Sequence, residues 1–271
     1  MPELPEVETV RSGLAPLLQN RQIIRVTAYR KNLRYPLPDL SELIGRKIMG
    51  VARRSKYLLF EVEGGKTVVW HLGMTGQFHL LSQESEKGAH EHVRLDLDDG
   101  QSLRYRDARR FGYAGLLDAA TLDRHPWFAR LGPEPLSDSF SRDFLAASCN
   151  GRKAPIKAVI MDAATVVGVG NIYAAESLFR AGIHPARAAG RISEKRLALL
   201  AVSIKQVLLE AIEAGGSTIS DFVKADGKPG YFAHRFQVYG REGAPCFRCA
   251  NRVKRMVQAG RSSFYCPGCQ H

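Results

Sequence analysis

At 271 residues, 45% apolar and 24% charged, the chain can form one large or two modest domains, and disordered, collagen-like and coiled-coil classes are excluded. No apolar run reaches the roughly 18 residues a membrane-crossing helix needs. The opening MPELPEVE carries three glutamates and no basic residue, the reverse of a secretory or transit leader, so a cytoplasmic location is expected. Lys and Arg number 39 against 27 Asp and Glu, a net +12, which suggests a polyanionic partner; a merely soluble basic protein is the alternative. The excess lies mostly in the second half: residues 1–135 carry +3 and residues 136–271 carry +9.

A helix is predicted at the start, because Leu4, Val7, Val10, Leu14 and Leu17 recur at three- and four-residue spacing and Pro5 suits a first turn. Gly13 and Pro16 leave its end open. From Ile23 to about Leu117 the pattern changes to short β-rich runs, IIRVTAY, KIMGVARR, YLLFEVE, KTVVWHL, HVRLDLDDG and SLRYRD, separated by Gly or Asp-Gly turns. These read as an antiparallel sandwich or barrel. LGPEPLSDSF, residues 131–140, has the composition of a linker.

Beyond the linker the chain turns helical. IKAVIMDAA and NIYAAESLFRAG read as two helical segments, with Gly182 a C-cap. Between Ser193 and Ala214, Leu197, Leu200, Ala201, Ile204, Val207, Leu208 and Ala211 keep one face, and Gly215-Gly216 supplies the stop. The fold class is therefore α+β, with a β-rich domain opened by a helix over residues 1–130, a linker over 131–140, a helical domain over 141–240 and a cysteine-bearing hairpin over 241–271.

Cys246, Cys249, Cys266 and Cys269 form C-x2-C-x16-C-x2-C, the spacing of a four-thiolate zinc site; two disulfides are the alternative. Four sulfurs complete a tetrahedron, so one structural Zn2+ is expected with no open position for substrate. Between the pairs, VKRMVQ and SSFY read as strands joined by Ala259-Gly260-Arg261, a hairpin with a basic tip that can enter a duplex groove. Zinc ribbons also serve as protein contacts or staples. Cys149 reads as a small buried apolar residue.

Removal of Met1 before a small proline leaves a secondary amine at Pro2. Unprotonated, it is a nucleophile, and its adduct with an aldehyde is a cationic iminium that acidifies the neighbouring carbon. Glu3 stands beside it to move protons. On residues alone, Pro2 also reads as a helix leader, and Glu3, Glu6 and Glu8 as carboxylates facing the positive end of a helix.

PELPEVETV, SKYLLF, HLGMTG, RRFG, LGPEPL, VVGVGNIYAAESLF, DGKPGYF, QVYGR and the CxxC pairs occur in order over essentially the whole chain. In these motifs the chain closely resembles bacterial formamidopyrimidine-DNA glycosylases. The resemblance implies an N-terminal antiparallel β-sandwich opened by a catalytic helix, a C-terminal helical domain and a zinc-ribbon β-hairpin. It also implies a bifunctional glycosylase and lyase that excises 8-oxoguanine and formamidopyrimidines from duplex DNA and cuts the abasic site, acting as a monomer. Carried over by position, Pro2 is the nucleophile, Glu3 the proton donor at the sugar and Glu6 its polar support. Lys56 matches the lysine of β-elimination, or a phosphate clamp, and Arg261 the arginine of δ-elimination. Met74, Arg109 and Phe111 match the trio that fills the void left by an extruded base. Asn171 fits a helix N-cap and a phosphate contact, and His90, Arg109 and Arg152 fall at DNA-contact positions.

Two departures stand out. The common DPRRFG is DARRFG here, with Ala108 in place of proline, and Arg152 stands where some relatives have lysine. An endonuclease VIII-type enzyme for oxidised pyrimidines is the nearest rival, but that branch typically begins PEGPE and this chain has Leu4. A non-enzymatic zinc-ribbon DNA-binding protein is the rival of another class, and it gives no reason for proline at position 2. The loop around Gly227–Phe232 is left open by the sequence.

Overall fold

The structure, a computed structural model, describes residues 2–216 and 235–271 and divides into two units. The Gly227–Phe232 loop lies outside the described residues. The first unit comprises Met1–Ala129 with Gly215–Tyr231, and the second Arg130–Ala214 with Phe232–His271.

In the first unit, helix α1 (Leu4–Leu18) precedes strands β1 (Ile23–Ala28), β2 (Ile48–Arg54), β3 (Tyr57–Val62), β4 (Lys66–His71), β5 (Gly76–Ser82), β6 (Glu91–Leu97), β7 (Gln101–Asp107) and β8 (Tyr113–Asp118). They form two antiparallel four-stranded sheets, ordered β1-β6-β7-β5 and β2-β3-β4-β8. The inner faces meet at Trp70 of β4, whose ring centroid lies 4.6 Å from that of Tyr105 on β7 and 5.3 Å from that of Phe78 on β5. α1 packs on β2 and β3 through Val7, Val10, Leu14 and Leu18, each buried side chain contributing about 1.5–3 kcal/mol.

Leu18, not Leu17, completes the buried stripe of α1: Leu17 is 46% exposed. Leu18 lies four residues after Leu14 and so returns to the same face, whereas Pro16 is accommodated in the last turn. The runs read from sequence account for six strands, and β5 and β8 lie outside them. Both are edge strands with incomplete burial, so their apolar signal is weak. Gly115 inside β8 weakens it further, and a Cβ there would meet the Trp127 ring at 2.8 Å.

The second unit holds α2 (Arg142–Cys149), α3 (Ile156–Met161), α4 (Asn171–Arg180) and α5 (Glu194–Glu213), then the hairpin β9 (Lys254–Gln258) and β10 (Arg261–Tyr265). The face of α5 from Leu197 to Ala211 is buried, and Cys149 joins the same core. α2 carries little periodic signal in the sequence, since only Leu145 and Cys149 of it are buried; its start is capped by Ser141, whose hydroxyl accepts the Phe144 N–H. Arg180 on α4 grips Glu210 on α5 in a bidentate pair with both contacts at 2.6 Å. Gly182, at φ 68, stands just after the C-cap of α4.

The buried carboxylate of Glu176 on α4 accepts the consecutive N–H groups of Gln237, Val238 and Tyr239 at 2.8–3.0 Å. Burial pushes this carboxyl up, and the three N–H groups oppose that push. The ribbon is fastened to the helices at its far end as well. Gln270 accepts the Cys266 N–H and donates to the Ile183 carbonyl, while the His271 N–H donates to Gly182.

Candidate functional site

Pro2 is buried immediately before Glu3, which occupies the N-cap of α1 in extended backbone. Glu3 and Glu6 are 3% and 2% exposed and form a capping box. The Glu3 N–H donates to Glu6 Oε2 at 2.9 Å, and the Glu3 carboxylate accepts the Glu6 N–H. Pro2 thus lies outside the helix, directly before the residue that caps it.

Lys56 is the second residue of the two-residue turn between β2 and β3, which closes at the Arg54–Tyr57 pair. Ser55 takes φ 56 there. Arg53 fastens this turn to α1: its Nε lies 2.8 Å from Glu8 Oε2, and its Nη1 donates to the Ser55 carbonyl. Glu8 also binds Arg11, so the helix that carries Glu3 and the hairpin that carries Lys56 share one ionic node.

The structure adds His71, at the end of β4, to the residues read from sequence. Its ring stacks on Tyr113 at 4.9 Å, and its Nδ1 accepts the Gly73 N–H at 3.0 Å. Burial first, and the Lys56 and Arg34 charges next, push its pKa down to about 4, so the imidazole is neutral near pH 7. The available signal was a polar residue ending the otherwise buried run TVVW and opening HLGMTG.

Met74 is half-buried in the β4–β5 turn, and Arg109 and Phe111 are exposed in the β7–β8 connection. The Arg109 guanidinium carbon lies 4.9 Å from the Phe111 ring centroid, within cation–π range. A Cβ on Gly73 would come within 2.4 Å of Gly112 N and the Phe111 carbonyl carbon, so main chain packs on main chain and the glycine is obligatory. Ala108 is exposed in the same connection, and Arg110 takes φ 57. His90, exposed at φ 57, lines a cavity of about 460 Å³ with Tyr29, Arg30 and Lys87.

In the second unit, Asn171 is the first residue of α4, and Gly170 is the N-cap, which corrects the sequence assignment of Asn171 to that position. The Asn171 side chain is otherwise engaged. Its Oδ1 accepts from the buried Lys157 Nζ at 2.5 Å, and its Nδ2 donates to the Ser262 carbonyl at 2.9 Å. Lys157 Nζ also reaches Ser263 Oγ at 2.6 Å. Asn171 and the base of Arg261 are thereby brought together, since Arg261 adjoins Ser262. Arg261 is exposed and pairs with Gln258 as the first residue of β10, so the turn is two residues, Ala259 and Gly260, both at positive φ. The sequence placed Arg261 inside that turn; the strand pairing moves it one step out. Arg152 is exposed after α2, with its carbonyl accepting the Gly190 N–H.

The Sγ atoms of Cys246, Cys249, Cys266 and Cys269 lie within 4.8 Å of one another, with Cys249–Cys266 at 3.4 Å and Cys246–Cys269 at 3.9 Å. Zn–S bonds of about 2.3 Å in a tetrahedron place sulfurs about 3.8 Å apart, whereas a disulfide needs about 2.05 Å. The donor set fits one structural Zn2+ and not two disulfides. Asn251 Nδ2 and the Arg248 N–H donate to Cys249 and Cys246 sulfur, as supports around thiolates should.

Residues 1–114 match the formamidopyrimidine-DNA glycosylase N-terminal domain, residues 131–223 the formamidopyrimidine-DNA glycosylase H2TH domain, and residues 243–271 the zinc finger found in FPG and IleRS. Formamidopyrimidine-DNA glycosylase from Thiobacillus denitrificans is 53% identical over 272 residues, and that from Dinoroseobacter shibae 49% over 285, each aligned over 100% of both chains. This chain belongs to the formamidopyrimidine-DNA glycosylase family. Among solved structures, the MutM (Fpg) protein of Thermus thermophilus is 42% identical, with TM-score 0.90 over 99% of this chain and 98% of that one. A point mutant of Lactococcus lactis Fpg, in complex with a Fapy-dG containing DNA, is 32% identical with TM-score 0.93 over 100% of both. The family's two domains and its zinc finger are thus all represented, and the four cysteines lie within the zinc-finger match.

Proposed function

We propose that this chain is a bifunctional DNA glycosylase and abasic-site lyase for oxidised purines in duplex DNA. One observation carries the reading: a buried Pro2 immediately before the Glu3–Glu6 cap of a helix that is tied through Glu8 and Arg53 to the turn presenting Lys56. Removal of Met1 exposes the Pro2 amine. It attacks C1′ of the extruded nucleoside and the base departs with the electron pair of the glycosidic bond; the proline nitrogen then sheds its proton, and its lone pair opens the C1′–O4′ bond to the iminium as Glu3 supplies the proton to O4′. The iminium then acidifies C2′, and loss of that proton breaks the C3′–O bond; Lys56 moves a proton in this step. A second elimination, assigned to Arg261, releases the sugar and leaves a one-nucleotide gap bounded by phosphates.

Extrusion precedes chemistry. Phe111 and Met74 occupy the emptied stack and Arg109 hydrogen-bonds the partner base, while His90, Arg152 and Asn171 bind phosphates and Glu6 supports the site. The basic excess makes DNA affinity fall steeply with salt. The zinc, closed by four thiolates, holds the hairpin of Arg261 and takes no part in the chemistry. Family membership supports this reading, as do relatives solved with Fapy-dG and with abasic-site DNA. The enzyme works as a monomer in the bacterial cytoplasm, on nucleoid DNA; among the described residues no helix is long and apolar enough to cross a membrane.

Borohydride trapping on a duplex with one 8-oxoguanine opposite cytosine, followed by peptide mapping, tests the proposal. A cross-link at Pro2, lost when one residue is added before it, is the expected result. Trapping on thymine glycol in preference to 8-oxoguanine would move the substrate to oxidised pyrimidines, and a cross-link at another residue would end the proline mechanism.

A further inference from the structure

Asp107, the last residue of β7, is fully buried, and its carboxylate joins two loops. Oδ1 accepts the hydroxyl of Thr75 in the β4–β5 turn, and Oδ2 accepts the Gly112 N–H at 2.8 Å in the β7–β8 connection. The Thr75 hydroxyl oxygen in turn accepts the Arg109 N–H at 3.0 Å. Tyr105, whose phenol burial pushes up and keeps protonated, places its hydroxyl 3.4 Å from Oδ2. The Asp107 main chain is held too: its N–H donates to the His90 carbonyl at 3.0 Å, and its carbonyl lies 2.8 Å from His92 Nε2.

Every member of the void-filling trio adjoins a residue of this node. Met74 precedes Thr75, Arg109 donates to it directly, and Phe111 precedes Gly112. The packing leaves no slack, because a Cβ on Gly112 would lie 1.8 Å from the Tyr105 hydroxyl.

We propose that Asp107 and Thr75 are positioning residues that clasp the Met74 turn and the Arg109–Phe111 connection into one rigid wedge, so that the three side chains enter the base stack together. The proposal rests on the void-filling role given above to that trio. Opening a base stack is costly and is offset only when the replacing contacts form at once. A wedge ordered during folding avoids ordering two loops separately at that moment. The same node reaches His90 through the Asp107 main chain, which ties the DNA-contact residue before β6 to the wedge.

Thr75→Val keeps the shape and deletes both hydrogen bonds of the hydroxyl, whereas Thr75→Ser restores them. Asp107→Asn must turn a donor toward one of its two partners. Single-turnover trapping is measured on the 8-oxoguanine duplex and on a single-stranded oligonucleotide with a preformed abasic site, which has no stack to open. For Thr75→Val, the duplex rate is expected to fall roughly tenfold or more and the single-strand rate to stay within about twofold, with Thr75→Ser near the parent on both. Asp107→Asn should show the same split. Equal losses on both substrates, or no loss on the duplex, would overturn the clasp. If the parent traps the abasic strand but not the 8-oxoguanine duplex, the substrate reading fails instead. The same comparison is then read on a duplex abasic site, whose sugar must still be everted.

Discussion

The main-chain amide of Glu3 and the carboxylate of Glu6 meet at 2.9 Å, and the reverse pairing closes the first turn of α1 directly after Pro2. Glu6→Ala removes one half of this box and should cost about 1 kcal/mol in urea unfolding. It should also slow trapping, because the residue before the cap loses its anchor. Glu6→Gln retains the acceptor oxygen and should stay within about 0.5 kcal/mol of the parent. Equal behaviour of the two variants would mean that the cap does not position Pro2.

His71 gives the first unit a defined acid sensitivity. Its folded pKa of about 4 lies below the ordinary 6.5, so between these values the unfolded chain binds more protons. Stability from this group is full above pH 6.5, about 3 kcal/mol, and is lost as pH falls toward 4. His71→Phe keeps a ring against Tyr113 and should flatten the stability profile across that window. Denaturant unfolding at several pH values measures it, and an unchanged slope would show that another group carries the effect.

Lys157 serves three acceptors at once, on Asn171, Ser262 and Ser263. Lys157→Met leaves them short of a donor in a buried place and should cost about 1–3 kcal/mol. Duplex affinity should fall with it, since Asn171 and the hairpin beside Arg261 lose a common support. A stability loss with unchanged affinity would confine the lysine to a structural role.

Cys266→Ser, or a strong chelator, should remove zinc and weaken DNA binding together. Pro2 belongs to the other unit, so trapping on a single-stranded abasic oligonucleotide at high protein concentration should persist. Metal analysis alongside both assays checks this. Loss of zinc with full duplex affinity would make the ribbon dispensable for binding.

The parts legible in the sequence are those whose signal is local. The stripe of α5 and the Cys-x2-Cys pairs announce themselves by spacing, and the spacing survives folding because helix pitch and zinc geometry impose it. Edge strands β5 and β8 do not, since only part of each is buried and pairing alone defines them. Asn171 misled for a related reason: an asparagine after a glycine-rich turn satisfies the local rule for an N-cap, but Lys157 and Ser262, distant in sequence, recruit its side chain. Asp107 is unmarked at the end of the run SLRYRD, because its partners Thr75 and Gly112 meet it only once the chain has folded. His71 was hidden in the same way, its neighbours Tyr57 and Tyr113 coming from two other strands.

Gln270 and His271 are hydrogen-bonded to Ile183 and Gly182, one and two residues after the last cysteine. The thiolate cluster therefore fastens a loop whose other end is sewn to the turn after α4. An ion held there would close the chain between Cys246 and Cys269, and the cost of such a closure grows only slowly with loop length. A ligand that binds only the folded form stabilises it by an amount set by its free concentration. The unfolding of the ribbon should accordingly shift to higher denaturant as free zinc rises.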